Sequence, residues 1–128
     1  SNIAPNFVTK MVKAVNTGDM DEANRLHAAL KPLFGMVGVV SEESTPYGTT
    51  EVKARNPLPL KTLMNILGVP AGPCRQPLGK MNGAGLDIVL GIARKVQANN
   101  PEIFAPVASF FGVDIDQRLA SVPDGLAY

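Results

Sequence analysis

Among the side chains that could act as nucleophiles, bases or metal ligands, Lys61, Cys74 and His27 stand out by type and position. Lys61 lies in a short apolar segment, and burial of an amine lowers its pKa and makes it a better nucleophile. The alternative is a lysine whose stem packs at the rim of the core while its ammonium stays in water. The pattern favours this second, structural role.

Cys74 and His27 are also more typical of structural positions. Cys74 precedes Arg75, a cation of the kind that activates thiols, but neither a second histidine nor a helix start accompanies it. His27 lies one position off the apolar stripe of its predicted helix, and a lone histidine without a carboxylate cluster makes neither a base nor a metal site. We therefore predict a structural cysteine, a half-exposed helical histidine and no metal site.

Two further groups of residues give weak signals. Gly79, Gly83 and Gly85 have a spacing like that of a phosphate-binding loop, but no strand precedes them to provide its geometry. Glu42 and Glu43 could act as paired carboxylates, but adjacent residues of one flexible loop seldom converge on a substrate. We expect ordinary solvated charge at these two glutamates.

The composition argues against several classes of protein. Twelve basic and eleven acidic residues leave a net charge of +1 without runs of like charge, whereas nucleic acids and anionic membranes require a clustered cationic face. The aromatic content of 5%, with no Trp, also argues against a surface that stacks on single strands or sugars. A single cysteine allows no internal disulfide and no multi-cysteine metal site.

Targeting signals are not recognised in the sequence. No apolar run approaches the roughly 20 residues of a membrane span, and the first residues lack a signal-peptide pattern. We therefore predict a cytoplasmic protein with neither a nucleic-acid nor a membrane partner. The start, Ser1-Asn2-Ile3-Ala4-Pro5, lacks an initiating Met and looks like the inside of a longer protein.

The elements that must position these residues are predicted to be helices. Apolar spacing, helix-opening prolines and helix-ending glycines predict helix starts at Pro5, Met20, Pro59, Asn82 or Gly83, Pro101 and Ile115. Strand signals are confined to residues 37–42 and 50–55, which form either the two arms of a short hairpin or an irregular excursion. The predicted fold class is all-α, with the helix over residues 59–67 as a buried pivot.

Two stretches resemble the dihydrodipicolinate synthase and N-acetylneuraminate lyase family. The first is Ser1-Asn2-Ile3-Ala4-Pro5, followed by a helix, a Gly-Asp turn and residues 22–34. The second is Asn56-Pro57-Leu58-Pro59-Leu60-Lys61, followed by Leu67-Gly68 and Arg75-Gln76-Pro77-Leu78. Their order and spacing agree with the family over about residues 1–95. The resemblance implies the C-terminal helical region of a (β/α)8 barrel enzyme, that is, the last barrel helix plus the C-terminal helices.

The resemblance divides the chain into four parts. Residues 1–40 resemble the last barrel helix and the first C-terminal helix as a helical hairpin, and residues 56–99 resemble the C-terminal helices. Residues 41–55 are a loop excursion longer than is usual in the family, and residues 100–128 are an extension past its typical end. The apolar patch at residues 103–111 includes Phe104, Val107, Phe110 and Phe111. The hypothesis is that these four side chains cover a neighbouring subunit or the outer helices of the barrel.

The resemblance also implies an activity for the whole enzyme. Members of the family are class I aldolases that form a lysine Schiff base with pyruvate or another 2-oxo acid, use no cofactor and are commonly homotetramers. Their reactive lysine, relay tyrosine and carboxylate-binding threonines lie on earlier barrel strands, so no catalytic residue is expected in this chain. Only Ser1 and Asn2 match a position near the substrate, at the carboxyl end of the last strand.

The partners implied are the remainder of the barrel or identical subunits, and a small 2-oxo acid for the whole enzyme. The alternative is a helical interaction or oligomerisation module that has no catalytic activity.

Overall fold

The described part of the chain begins with two helices joined by a tight turn. In the computed structural model, which describes residues 2–128, helix α1 spans Pro5–Asn16 and helix α2 spans Met20–Gly35. The Asp19 carboxylate accepts a 3.1 Å hydrogen bond from the backbone N–H of Glu22 and so caps α2. The two helices pack against each other along their apolar faces.

An antiparallel hairpin follows the helical pair. Strand β1 spans Gly38–Thr45 and strand β2 spans Gly48–Arg55, so residues 41–55 belong to a hairpin. The predicted all-α fold class is therefore wrong. The physical reason is that the burial of side chains alternates along β1, as it does in a strand: Val39 and Ser41 are buried, while Val40 between them is exposed.

Helices α3 and α4 carry the centre of the core. Helix α3 spans Leu58–Ile66 and helix α4 spans Gly83–Asn99. Leu63 and Ile66 of α3 are fully buried, in keeping with the predicted pivot. However, it is α4 that packs against α2, α3 and β1. None of the helices within residues 2–128 combines the length and the apolar character needed to cross a membrane.

The last part of the chain folds back onto these helices. A 3₁₀ turn at Pro101–Ile103 leads into helix α5, Ala105–Phe111, and helix α6, Ile115–Ala120. Arg118 of α6 donates from Nε to the carbonyl of Ile66 and from Nη2 to that of Asn65, both at 2.7 Å. Because these carbonyls end α3, the guanidinium stabilises the carboxyl end of the helix, where the Asn65 carbonyl also accepts the backbone N–H of Gly68.

Candidate functional site

The two stretches that carry the family resemblance line one cavity. This cavity, of about 330 Å³, lies between the start of α1, the end of α2 and the start of α3, and we call it the Asn2 cavity. Its polar and motif residues are Asn2, Ile3, Ala4, Asn56, Pro57, Leu60 and Lys61. The fold brings the two stretches together because both border the apolar side chains of Leu30 and Leu33 on α2.

Asn2 is the one residue of the predicted substrate-lining pair that the structure describes, since Ser1 lies outside the described residues. Asn2 is exposed, and a carboxamide offers both a hydrogen-bond donor and an acceptor to a ligand. Most residues that line the cavity are apolar, Val8 and Met64 among them. Lys61 supplies the single charge among the described residues of this wall. The role of Ser1 and Asn2 as lining residues stays a prediction.

Lys61 is held by a backbone contact. Its Nζ donates a 2.8 Å hydrogen bond to the carbonyl of Pro73, and Asn65 Nδ2 donates at 3.1 Å to the carbonyl of Gly72. Two side chains of α3 thus hold the segment at residues 72–74 against the helix. This geometry agrees with a structural role for Lys61, in which the half-buried stem packs at the rim of the core and the amine serves as a hydrogen-bond donor.

Lys61 also borders a second cavity, of about 280 Å³, which we call the lysine cavity. Lys61, Cys74 and Lys80 lie in its wall together with Asn65 and Gly79. The thiol of Cys74 is half-buried there. The sequence does not indicate that Lys61 and Lys80 line one cavity, because residues 19 positions apart are brought together only by the folding of the intervening loop.

The remaining candidates do not join either cavity. His27 is exposed on α2, where its ring centroid lies 6.1 Å from that of Phe34. Glu42 and Glu43 are neighbours on β1, and adjacent strand residues point to opposite faces of a sheet. Across residues 2–128, no group of three or more His, Cys, Asp or Glu side chains is placed to hold a metal ion.

The glycine cluster at the start of α4 is already occupied by a side chain of the protein. The backbone N–H of Gly85 donates at 3.0 Å to Asn82 Oδ1, which caps the helix. A phosphate loop needs such N–H groups free to face the ligand. Gly79, Gly83 and Gly85 therefore do not form one.

Comparison with known proteins supports the resemblance seen in the two stretches. A model of the dihydrodipicolinate synthetase family matches residues 1–92. The chain is similar to the 4-hydroxy-tetrahydrodipicolinate synthase of Methanococcus maripaludis, at 37% identity over 81 residues, which are 63% of this chain and 23% of that protein. It is also similar to proteins of the same name from Methanococcus aeolicus, at 37% identity over 81 residues, 63% of this chain and 23% of that one. For Moorella thermoacetica the identity is 35% over 78 residues, 61% of this chain and 22% of the relative.

The chain thus spans about a quarter of the length of these curated relatives, at 23% of the first. No solved structure matches it.

The matched segment is the N-terminal 92 residues of the chain and it includes the β1–β2 hairpin. The expectation of a C-terminal helical region, the last barrel helix plus the C-terminal helices, is therefore wrong. The family itself is confirmed, because its model matches well over half of the chain: this chain belongs to the dihydrodipicolinate synthetase family.

Proposed function

We propose that the protein to which this chain contributes is a lyase of the aldolase type that acts on pyruvate or another 2-oxo acid. The reaction would proceed through a Schiff base on a lysine outside this chain, with the imine as an electron sink. The family match supports this proposal, as do relatives that carry the name of a synthase of 4-hydroxy-tetrahydrodipicolinate. The half-burial of Lys61 carries the assignment of the reactive lysine elsewhere, since its ammonium, which donates to the Pro73 carbonyl, is not removed from water.

The contribution proposed for this chain is one wall of the substrate site. Ser1 and Asn2 would line that site and offer hydroxyl and amide groups to the 2-oxo acid. The apolar residues of the Asn2 cavity would help to exclude water from it. The remainder of the enzyme, or identical subunits, would cover this face of the chain.

Reductive trapping tests the proposal. A Schiff-base lysine must be partly neutral near pH 7, although the reference pKa of lysine is about 10.4, and this requires burial or a neighbouring cation. We expect the purified chain to gain no mass when it is incubated with pyruvate and borohydride. The intact protein should gain one reduced pyruvate adduct, which peptide mass spectrometry should map outside this chain.

Propionate, which lacks the oxo group, is the matched control and should give no adduct with either protein. A stoichiometric adduct on Lys61 would contradict the assignment of the reactive lysine to another part of the enzyme. Absence of any adduct on the intact protein would contradict the Schiff-base mechanism itself.

A second candidate is the non-catalytic helical interaction or oligomerisation module. An apolar cavity of about 310 Å³ beside Phe7 and Val107 favours it, because Phe110 borders this cavity while 83% exposed. Sedimentation of the purified chain separates the two candidates. A monodisperse species supports the module, at 13.5 kDa for an interaction module or at a multiple of this mass for an oligomerisation module. Aggregation, or recovery only together with the remainder of the enzyme, supports the lyase.

A further inference from the structure

We propose that the lysine cavity binds a small dianion of the dicarboxylate or phosphate-monoester type. This site goes beyond the lyase function and does not depend on it. The cavity lies between α3, residues 72–74 and the segments at residues 79–80 and 125–126. Its volume of about 280 Å³ lies just below the range of about 300–1,000 Å³ that is typical of ligand pockets, and this indicates a small ligand.

The charge of the wall selects an anion. Lys61 and Lys80 are its charged members, and none of the described residues that line it is acidic. Within residues 2–128, the ion pairs are Arg25 with Glu22 and Lys53 with Glu51. The ammonium groups of Lys61 and Lys80 therefore have no carboxylate within 4.0 Å in this part of the chain. Two uncompensated positive charges that border one cavity attract a ligand with two negative charges.

The first wall of the cavity is held in place before any ligand binds. Lys61 Nζ donates to the Pro73 carbonyl at 2.8 Å, and Asn65 Nδ2 donates to the Gly72 carbonyl at 3.1 Å. An ammonium has three N–H donors, so this contact leaves two of them for a ligand. The first cation is therefore positioned by the backbone.

The second wall is held by the end of the chain. The backbone N–H of Lys80 donates to the Tyr128 hydroxyl at 3.3 Å, and that of Met81 donates to the Leu126 carbonyl at 3.3 Å. A Cβ built at Gly79 would overlap the Tyr128 hydroxyl, so the close approach requires glycine at this position. With both walls fixed, binding needs little ordering of the backbone.

Cys74 provides a reporter in the same wall. A bound anion would disfavour a neighbouring thiolate, which is the form that reacts with alkylating reagents. It would also block the approach of the reagent to a half-buried sulfur. Both effects act in the same direction, so occupancy of the cavity should slow the alkylation of Cys74.

The test measures the rate at which neutral iodoacetamide alkylates Cys74, read on the Cys74 peptide by mass spectrometry. Sodium phosphate and succinate are titrated separately, with chloride keeping the ionic strength constant. We expect saturable, several-fold protection by at least one of the two anions. Stronger protection by phosphate assigns a phosphate monoester as the ligand class, and stronger protection by succinate assigns a dicarboxylate.

Three variants complete the test. Lys61→Ala and Lys80→Gln should each raise the half-protecting concentration about five-fold, near the upper end for an exposed ion pair. Lys95→Ala, at an exposed position of α4 away from the cavity, should leave it unchanged. Lys61→Ala could also release residues 72–74 from α3. In that case Lys80→Gln is the deciding variant, because the Lys80 side chain makes none of the hydrogen bonds that hold either wall. Absence of saturable protection, or an equal effect of Lys95→Ala and Lys80→Gln, would overturn the proposal.

Discussion

The hydroxyl of Ser41 on β1 donates a 3.0 Å hydrogen bond to Asn82 Oδ1 at the start of α4, across 41 residues of sequence. The same oxygen accepts the backbone N–H of Gly85 at 3.0 Å. One amide oxygen therefore caps the central helix and anchors the hairpin to it. A Cβ at Gly85 would lie 2.6 Å from this oxygen, so the arrangement requires glycine there.

This relationship predicts that Asn82→Ala lowers the free energy of unfolding by about 1–3 kcal/mol. The substitution removes the helix cap and leaves the buried Ser41 hydroxyl without its acceptor. Asn82→Asp retains the acceptor but places a carboxylate beside Glu43, which accepts from Asn82 Nδ2 at 3.4 Å, so it should recover only part of the stability. Ser44→Ala, at an exposed position of the same strand, is the control and should change stability by less than about 0.5 kcal/mol. Urea unfolding measures all three, and an Asn82→Ala protein as stable as the control would contradict the prediction.

The burial of Leu63 in α3 predicts that Leu63→Ala lowers the free energy of unfolding by more than Asn82→Ala does. Leu63 is fully buried, and truncation of a buried leucine costs about 2–5 kcal/mol because it removes contacts and leaves a cavity. Leu78→Ala, at a position 38% exposed, should cost less than about 1 kcal/mol. Chemical denaturation of the two variants provides the measurement. Similar losses in both would show that α3 is not part of the central core.

The apolar patch at residues 103–111 divides into a buried and an exposed part. Phe104 is fully buried in the core of this chain, whereas Phe110 is 83% exposed. Phe104→Ala should therefore cost about 3–5 kcal/mol, and Phe110→Ala should leave the stability of the isolated chain nearly unchanged. Thermal unfolding tests the pair. A large loss for Phe110→Ala would indicate that this ring packs on the chain itself.

A pH effect is expected at the start of α2. Arg25 donates to both carboxylate oxygens of Glu22, at 2.6 and 2.8 Å, and this hydrogen bonding holds the pKa of Glu22 below its ordinary value of 4.5. A carboxyl whose pKa is lower in the folded state stabilises the fold above its unfolded pKa and loses that contribution as the pH falls through the folded value. The Glu22–Arg25 contribution should therefore disappear under acidic conditions.

An NMR titration of the Glu22 carboxyl carbon measures this effect. In Arg25→Gln, the midpoint should rise toward 4.5 because the charged guanidinium, with its two hydrogen bonds to the carboxylate, is gone. Lys13→Gln, in the last turn of α1, should leave the midpoint in place. An unchanged midpoint in Arg25→Gln would assign the shift to another cause.

The sequence by itself determined most of the helix starts, although it predicted a helix from Pro101, where the structure has a 3₁₀ turn and α5 begins at Ala105. Asp19, Asn82 and Asp114 each accept the N–H of the residue three positions ahead, as their types and positions predict. Such signals act within one helical turn, so they can be recognised without knowledge of the fold. Two motif stretches likewise sufficed to identify the family.

Only the tertiary structure decided the hairpin and the two cavities. Strand pairing joins residues far apart in sequence, such as Val39 with Ala54, and its energy comes from contacts that a local pattern does not contain. In the same way, Asn2 and Lys61 line one cavity and Lys61 and Lys80 line another, although each pair is far apart in sequence. These neighbours are set by packing, which depends on the whole chain.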